Sequence, residues 1–208
     1  MSELFLKSPA HSGVALIVMT NDPKQFTDSV MSLPDVKILS KYEPANIFTI
    51  YAPLPLVSRI ASWNDVLFID KTRQAIQELF TGTMENQTNM VNRMQDAFPA
   101  YNGNSITIGI KENNFDTADI DFMGRILINP AATTGINSHA SIMGTIIAGG
   151  GNTWYAAKGA AWGSKIVSSS FSNLLPDANN FFQLYGVTVQ NHSYGTAIEN
   201  YYGPEAVA

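Results

Sequence analysis

The chain has 208 residues, of which 45% are hydrophobic and 14% charged, with a net charge of −5 and no cysteine. That composition can bury a core. The negative balance, without any Lys/Arg cluster, argues against a nucleic-acid partner, and the lack of cysteine removes disulfide frameworks and thiolate metal sites. No apolar run is long enough to span a membrane, and the opening Met1-Ser2-Glu3-Leu4-Phe5-Leu6-Lys7 is too short and polar for a signal peptide.

Gly13 to Thr20 is an apolar run suited to a buried strand. Asn21-Asp22-Pro23 supplies a cap and a proline at the first helical position. Phe26, Val30 and Leu33 follow on one helical face, and Pro34 ends it. Val36 to Tyr42 and Asn46 to Tyr51 read as strands; in the second, Phe48 and Ile50 face opposite to Ile47, Thr49 and Tyr51. Pro53 and Pro55 introduce a helix striped by Leu56, Ile60 and Trp63, and Val66 to Ile69 forms a last strand. The order β-α-β-β-α-β is that of a ferredoxin-like plait, expected as a four-stranded antiparallel sheet with two helices on one face. The pattern by itself assigns no function, since this fold hosts many.

Gln74 to Asn104 is polar and weakly patterned, as in a joint, with Asn89 a candidate cap for a short helix carrying Met90, Val91, Met94 and Phe98. From Ser105 the pattern changes. Ser105 to Ile110 is a short buried strand with the charged pair Lys111-Glu112 at its C-terminal end, where ligands and catalytic groups collect in open α/β sheets. Asn137-Ser138-His139-Ala140-Ser141 leads into an apolar helix with His139 in its first turn and a stop at Gly149-Gly150-Gly151. Small residues on this helix, Ala140, Ser141 and Gly144, allow close packing on a sheet. Lys165 to Ser170 and Val187 to Asn191 are further strands, so a parallel sheet is expected.

These segments carry a family resemblance. Ser105 to Ile126, SITIGIKENNFDTADIDFMGRI, is similar to the segment around the catalytic Asp of subtilisin-like serine peptidases, with Phe115-Asp116, Ile120-Asp121-Phe122 and Gly124-Arg125 in register. NSHASIMGTIIAGGG resembles the subtilase histidine motif, Gly159-Ala160-Ala161 the Gly-Val-Ala that follows it, and Asn191-His192-Ser193-Tyr194-Gly195 the strand that pairs with bound substrate. The resemblance implies an α/β architecture in which a ferredoxin-like α+β propeptide precedes the first part of a parallel-sheet subtilisin-like domain. Residues 1–73 would be the inhibitory propeptide, 74–104 the linker, and 105–208 the N-terminal part of an incomplete peptidase domain.

The resemblance also implies roles. Glu112 falls at the catalytic Asp position and His139 on the catalytic His; the expected contact is about 2.6–3.2 Å from carboxylate to imidazole. Ser193, Tyr194 and Gly195 would pair with a peptide by β-augmentation, and the propeptide's tail would occupy that place in cis, with cleavage somewhere in residues 70 to 90. Glu112 departs from the family's Asp, and Asn113-Asn114 replaces Thr-Gly. Either Glu112 orients His139 in a reshaped loop or the site is degenerate. Asp116, Asp119 and Asp121 read as a polar loop, Asp121 matching a calcium-ligating position of some subtilases; no cofactor is implied beyond structural calcium. His192 reads as structural.

The family's nucleophilic Ser and oxyanion Asn lie downstream of these motifs, so the remaining C-terminal part of the domain is an expected partner. Two readings follow: a serine endopeptidase precursor acting on peptides or proteins, or a degenerate subtilase-like binding or cargo subunit of a larger secreted or outer-membrane complex that keeps its propeptide. Either implies an extracytoplasmic location.

Overall fold

The computed structural model describes residues 13–74, 76–77, 89–128, 135–172, 174–195 and 202–204. The chain divides into two compact units, one of residues 1–74 together with 198–208 and the other spanning Ala75–Ala197.

The first unit is the plait. Its strands are β1 (Gly13–Thr20), β2 (Lys37–Tyr42), β3 (Ile47–Pro53) and β4 (Val66–Lys71), and its helices α1 (Pro23–Met31) and α2 (Leu54–Ala61). The strand order is β2-β3-β1-β4, and every neighbouring pair is antiparallel. Local chemistry accounts for the helix starts. The Asp22 carboxylate accepts from the backbone N–H groups of Lys24 and Gln25, and proline occupies the first turn of each helix. Leu16, Val18, Phe48, Ile50 and Ala52 meet Phe26, Val30 and Ile60 in one core. Phe26 packs on Phe48 at 4.9 Å between ring centroids and on Trp63 at 5.8 Å. Alternation along β3 is as the sequence indicates for Phe48 and Ile50, but Ile47 is fully buried as well, on the opposite side.

The second unit is built on a parallel sheet of order β7-β8-β6-β9, from β6 (Thr107–Lys111), β7 (Ile126–Leu127), β8 (Lys165–Ser169) and β9 (Val187–His192). The three strands expected to share a sheet do so, and in parallel. The short β7 is an addition. Helix α3 (Val91–Ala97) lies within the stretch read as a joint, α4 (Ser138–Ala148) carries the histidine motif, and α5 (Asn179–Tyr185) precedes β9. Ile108, Ile110 and Ile166 from the sheet, Phe115 and Phe122 from the β6–β7 connection, and Ala140 and Ala148 from α4 form the core.

Helix α3 differs from its expectation. Met90, not Asn89, occupies the cap position, with φ of 59° and no side-chain cap. Met94 and Phe98 are exposed, whereas Gln95 is buried and donates from Nε2 to the Gly159 carbonyl at 2.7 Å. A buried amide with a backbone partner satisfies its hydrogen-bonding need, so the polar residue faces inward.

Candidate active site

In a parallel sheet all strand ends of one sense share an edge, so β6, β8 and β9 bring Lys111-Glu112, Ser169-Ser170 and His192 to one rim. Every residue of β6 is buried, which leaves Glu112 little freedom at its end. The Glu112 backbone N–H donates to the Ser169 carbonyl at 3.0 Å, and its side chain is fully buried.

Helix α4 brings His139 to the same place. The Asn137 side chain caps the helix by accepting from the Ala140 N–H at 3.2 Å. His139 follows in the first turn and is 8% exposed. Its Nδ1 lies 3.3 Å from Glu112 Oε2, just beyond the about 2.6–3.2 Å that was expected. The connection after Glu112 is stitched to the start of α4. Asn137 N–H donates to the Asn114 carbonyl at 2.9 Å, Asp116 N–H to Ser141 Oγ at 3.0 Å, and Ser168 Oγ to Asn114 Oδ1 at 3.3 Å. The loop that carries Asn113-Asn114 thus fastens carboxylate and imidazole to one frame.

The chemistry open to this pair follows from its orientation. A carboxylate facing Nδ1 holds the proton there and leaves the lone pair of the neutral ring on Nε2, the atom that can take and return a proton. Glu112 is the acidic side chain that meets His139 among the described residues. Asp116 Oδ1 accepts from Ala118 N–H, and Asp119 Oδ1 from Asp121 N–H.

Asp121 corrects the polar-loop reading. It is 3% exposed, and its Oδ1 accepts from the N–H groups of Asn152 and Thr153 at 2.5 and 3.2 Å. Its carbonyl accepts from Gly150 N–H and from the Arg125 guanidinium. Arg125 also donates to the Ser164 carbonyl at 3.0 Å, and burial lowers its pKa. Asp121 therefore pins the glycine loop after α4. Among the described residues no group of three His, Asp or Glu side chains is placed to hold a metal ion.

Beside β9 the chain turns into β10 (Tyr194–Gly195), which pairs antiparallel with β5 (Ile76–Gln77). The register is Tyr194 opposite Gln77 and Gly195 opposite Ile76. The extended segment that follows the plait thus runs along this strand. Ser193 makes a different contact, its Oγ accepting from Asn191 Nδ2 at 2.8 Å. His192 has local partners on both ring nitrogens: Tyr194 Oη 2.8 Å from Nδ1 and Gln190 Oε1 2.9 Å from Nε2. Its pKa is lowered by partial burial and by Lys111.

Sequence reasoning missed the partner of Lys111. That side chain is 1% exposed and donates from Nζ to Asp177 Oδ1 and to the Ser170 carbonyl, both at 3.0 Å. A lysine closing an otherwise apolar strand was the available signal; the identity of its carboxylate partner, 66 residues away, was not readable.

No family model and no curated protein matches this sequence. Solved structures do. Fervidolysin from Fervidobacterium pennivorans, a keratinolytic enzyme related to subtilisin, is similar with a TM-score of 0.55 at 15% identity, covering 88% of this chain and 36% of that one. The epidermin leader peptide processing serine protease EpiP of Staphylococcus aureus, as its S393A mutant, is similar with a TM-score of 0.54 at 13% identity, covering 76% of this chain and 43% of that one. The chain thus spans less than half the length of the proteases it resembles. The parallel sheet, the antiparallel plait and these neighbours together give this chain a subtilase-like fold.

Proposed function

We propose that the chain is the front part of a subtilisin-like serine endopeptidase precursor. His139 acts as general base, Glu112 fixes its tautomer and balances the imidazolium, and β10 pairs with the peptide. The nucleophilic Ser and the oxyanion donors come from a further part of the protein. Peptides or proteins are the substrates, the plait is an inhibitory propeptide bound in cis, and the protein works outside the cytoplasm. The single observation that carries this reading is the buried Glu112–His139 pair, 3.3 Å apart, at the rim where the three long parallel strands end. The pairing of Ile76–Gln77 with Tyr194–Gly195 supports the cis arrangement, because an extended antiparallel segment is what β-augmentation requires.

One observation favours the non-catalytic reading, a binding or cargo subunit of a larger complex. Glutamate stands where the resemblance implies aspartate, and its contact with His139, at 3.3 Å, is longer than a tight carboxylate–imidazole bond. Labelling of the full-length protein with a fluorophosphonate separates the two. The peptidase reading expects rapid labelling that His139→Ala abolishes and that Glu112→Gln slows by about 10⁴-fold, the loss attached to a wrong histidine tautomer. Equal labelling in all three proteins would show that another residue is the base; no labelling of the parent would leave the binding subunit.

A further inference from the structure

Asp177 stands where three parallel strands end. Its Oδ1 accepts from Lys111 Nζ of β6 at 3.0 Å. Its Oδ2 accepts from Ser169 Oγ of β8 and from Gln190 Nε2 of β9, each at 2.5 Å. Every one of these side-chain partners is a donor, the set an acceptor-only carboxylate requires. The arrangement leaves the Gln190 amide one orientation: its NH₂ faces the carboxylate, and Oε1 is left to accept, at 3.5 Å from the Asp177 backbone N–H and closer to His192.

Oε1 then lies 2.9 Å from His192 Nε2, so that nitrogen must carry a proton. In the neutral ring Nδ1 keeps a lone pair, and the Tyr194 hydroxyl 2.8 Å away donates to it. The same hydroxyl has a second, longer choice, the Leu174 carbonyl at 3.3 Å. We propose that Asp177 is a positioning residue of the peptide-pairing strand: acting through Gln190, it sets the His192 tautomer and thereby holds the Tyr194 hydroxyl on the imidazole. This rests on the reading of β10 as that strand.

The charges facing His192 agree with the neutral ring. Lys111 opposes a proton on it, Asp177 favours one, and partial burial, the largest influence, opposes it; the net direction is a lowered pKa. Burial, Asp177 and Glu112 all raise the pKa of Tyr194, which keeps its hydroxyl a donor. Phe171 packs on the Tyr194 ring at 5.5 Å, so the hydroxyl's choice of partner fixes the whole side chain between loop and strand.

Nitrogen-15 NMR of the His192 ring in the full-length protein at neutral pH tests the relay. The parent should show the Nε2–H tautomer. In Asp177→Asn the new NH₂ turns the Gln190 amide over and presents Gln190's own NH₂ to His192, so the proton should move to Nδ1. Gln190→Met breaks the relay while leaving Lys111 its counter-charge, and should abolish the preference for Nε2–H. Amide exchange at Tyr194 and Gly195 should quicken about three- to tenfold in both variants, the worth of roughly one hydrogen bond. A parent ring protonated on Nδ1, or Nε2–H retained in Gln190→Met, overturns the relay. A tautomer change without faster exchange overturns the positioning role. Neither readout needs peptide hydrolysis, so failure here is distinct from failure of the labelling experiment.

Discussion

Asp121 and Glu112 are both buried carboxylates on the connection around β6, and their partners divide their roles. Asp121 accepts from two backbone amides on the loop after α4. Removing it as Asp121→Ala strands both donors and should cost about 1–3 kcal/mol, the penalty for buried unpaired groups. Thermal unfolding checks this, and calcium discriminates the alternative: a ligand role would make added calcium raise the parent's Tm but not the variant's. Glu112 faces a titratable ring, and its removal is expected to appear in the labelling rate. The Asn113-Asn114 connection that follows Glu112 is tied to α4 and β8 through Asn114.

Helix α4 reaches the sheet because its inner face is small. Ala140, Gly144 and Ala148 recur every four residues, and all three are buried. A Cβ on Gly144 would stand 3.0 Å from Phe122 Cζ and 3.6 Å from Ile110 Cδ1. Phe122 cannot easily yield, since it is fully buried against Phe115 at 5.5 Å between centroids. Gly144→Ala should be nearly neutral, because a gain in helix propensity of about 1 kcal/mol offsets the crowding. Gly144→Val should lose about 1–3 kcal/mol through overpacking and lengthen the His139–Glu112 contact, since the helix must lift. A melting curve reads the first effect and the His139 ring shift in NMR the second.

On the proposed precursor reading, the segment that follows the plait sets where processing of the whole molecule falls. Ile76–Gln77 lies two residues beyond the end of the plait unit and pairs with β10. If that segment occupies the place of a peptide in cis, cleavage in the full-length protein should fall after Gln77 and within the expected window ending at residue 90. Mass spectrometry of the purified protein should find two pieces with the break there. His139→Ala should remain a single chain. A break before Ile76, or processing that persists in His139→Ala, would remove the argument for self-cleavage.

The sequence alone determined the elements whose pattern is local. Alternation marks β3, the cap and proline mark α1, and Asn137 marks the start of α4. The parallel sheet was also legible, because strands joined by long crossovers have little other way to pair. The register on either side of Glu112 and His139 pointed to their meeting, which the fold brings to 3.3 Å. Tertiary structure decided what local pattern cannot encode. Asp121 looked like one acid in a polar loop until its amide partners, 31 and 32 residues on, made it a pin. Met94 and Phe98 were placed on a short helix, but Gln95 is its side chain that finds a buried partner, the Gly159 carbonyl 64 residues away. Lys111 and Asp177, His192 and Gln190 owe their roles to strand ends that only the folded sheet assembles. Hydrophobic periodicity is a property of neighbours in the chain; hydrogen-bond satisfaction at buried polar groups is a property of neighbours in space.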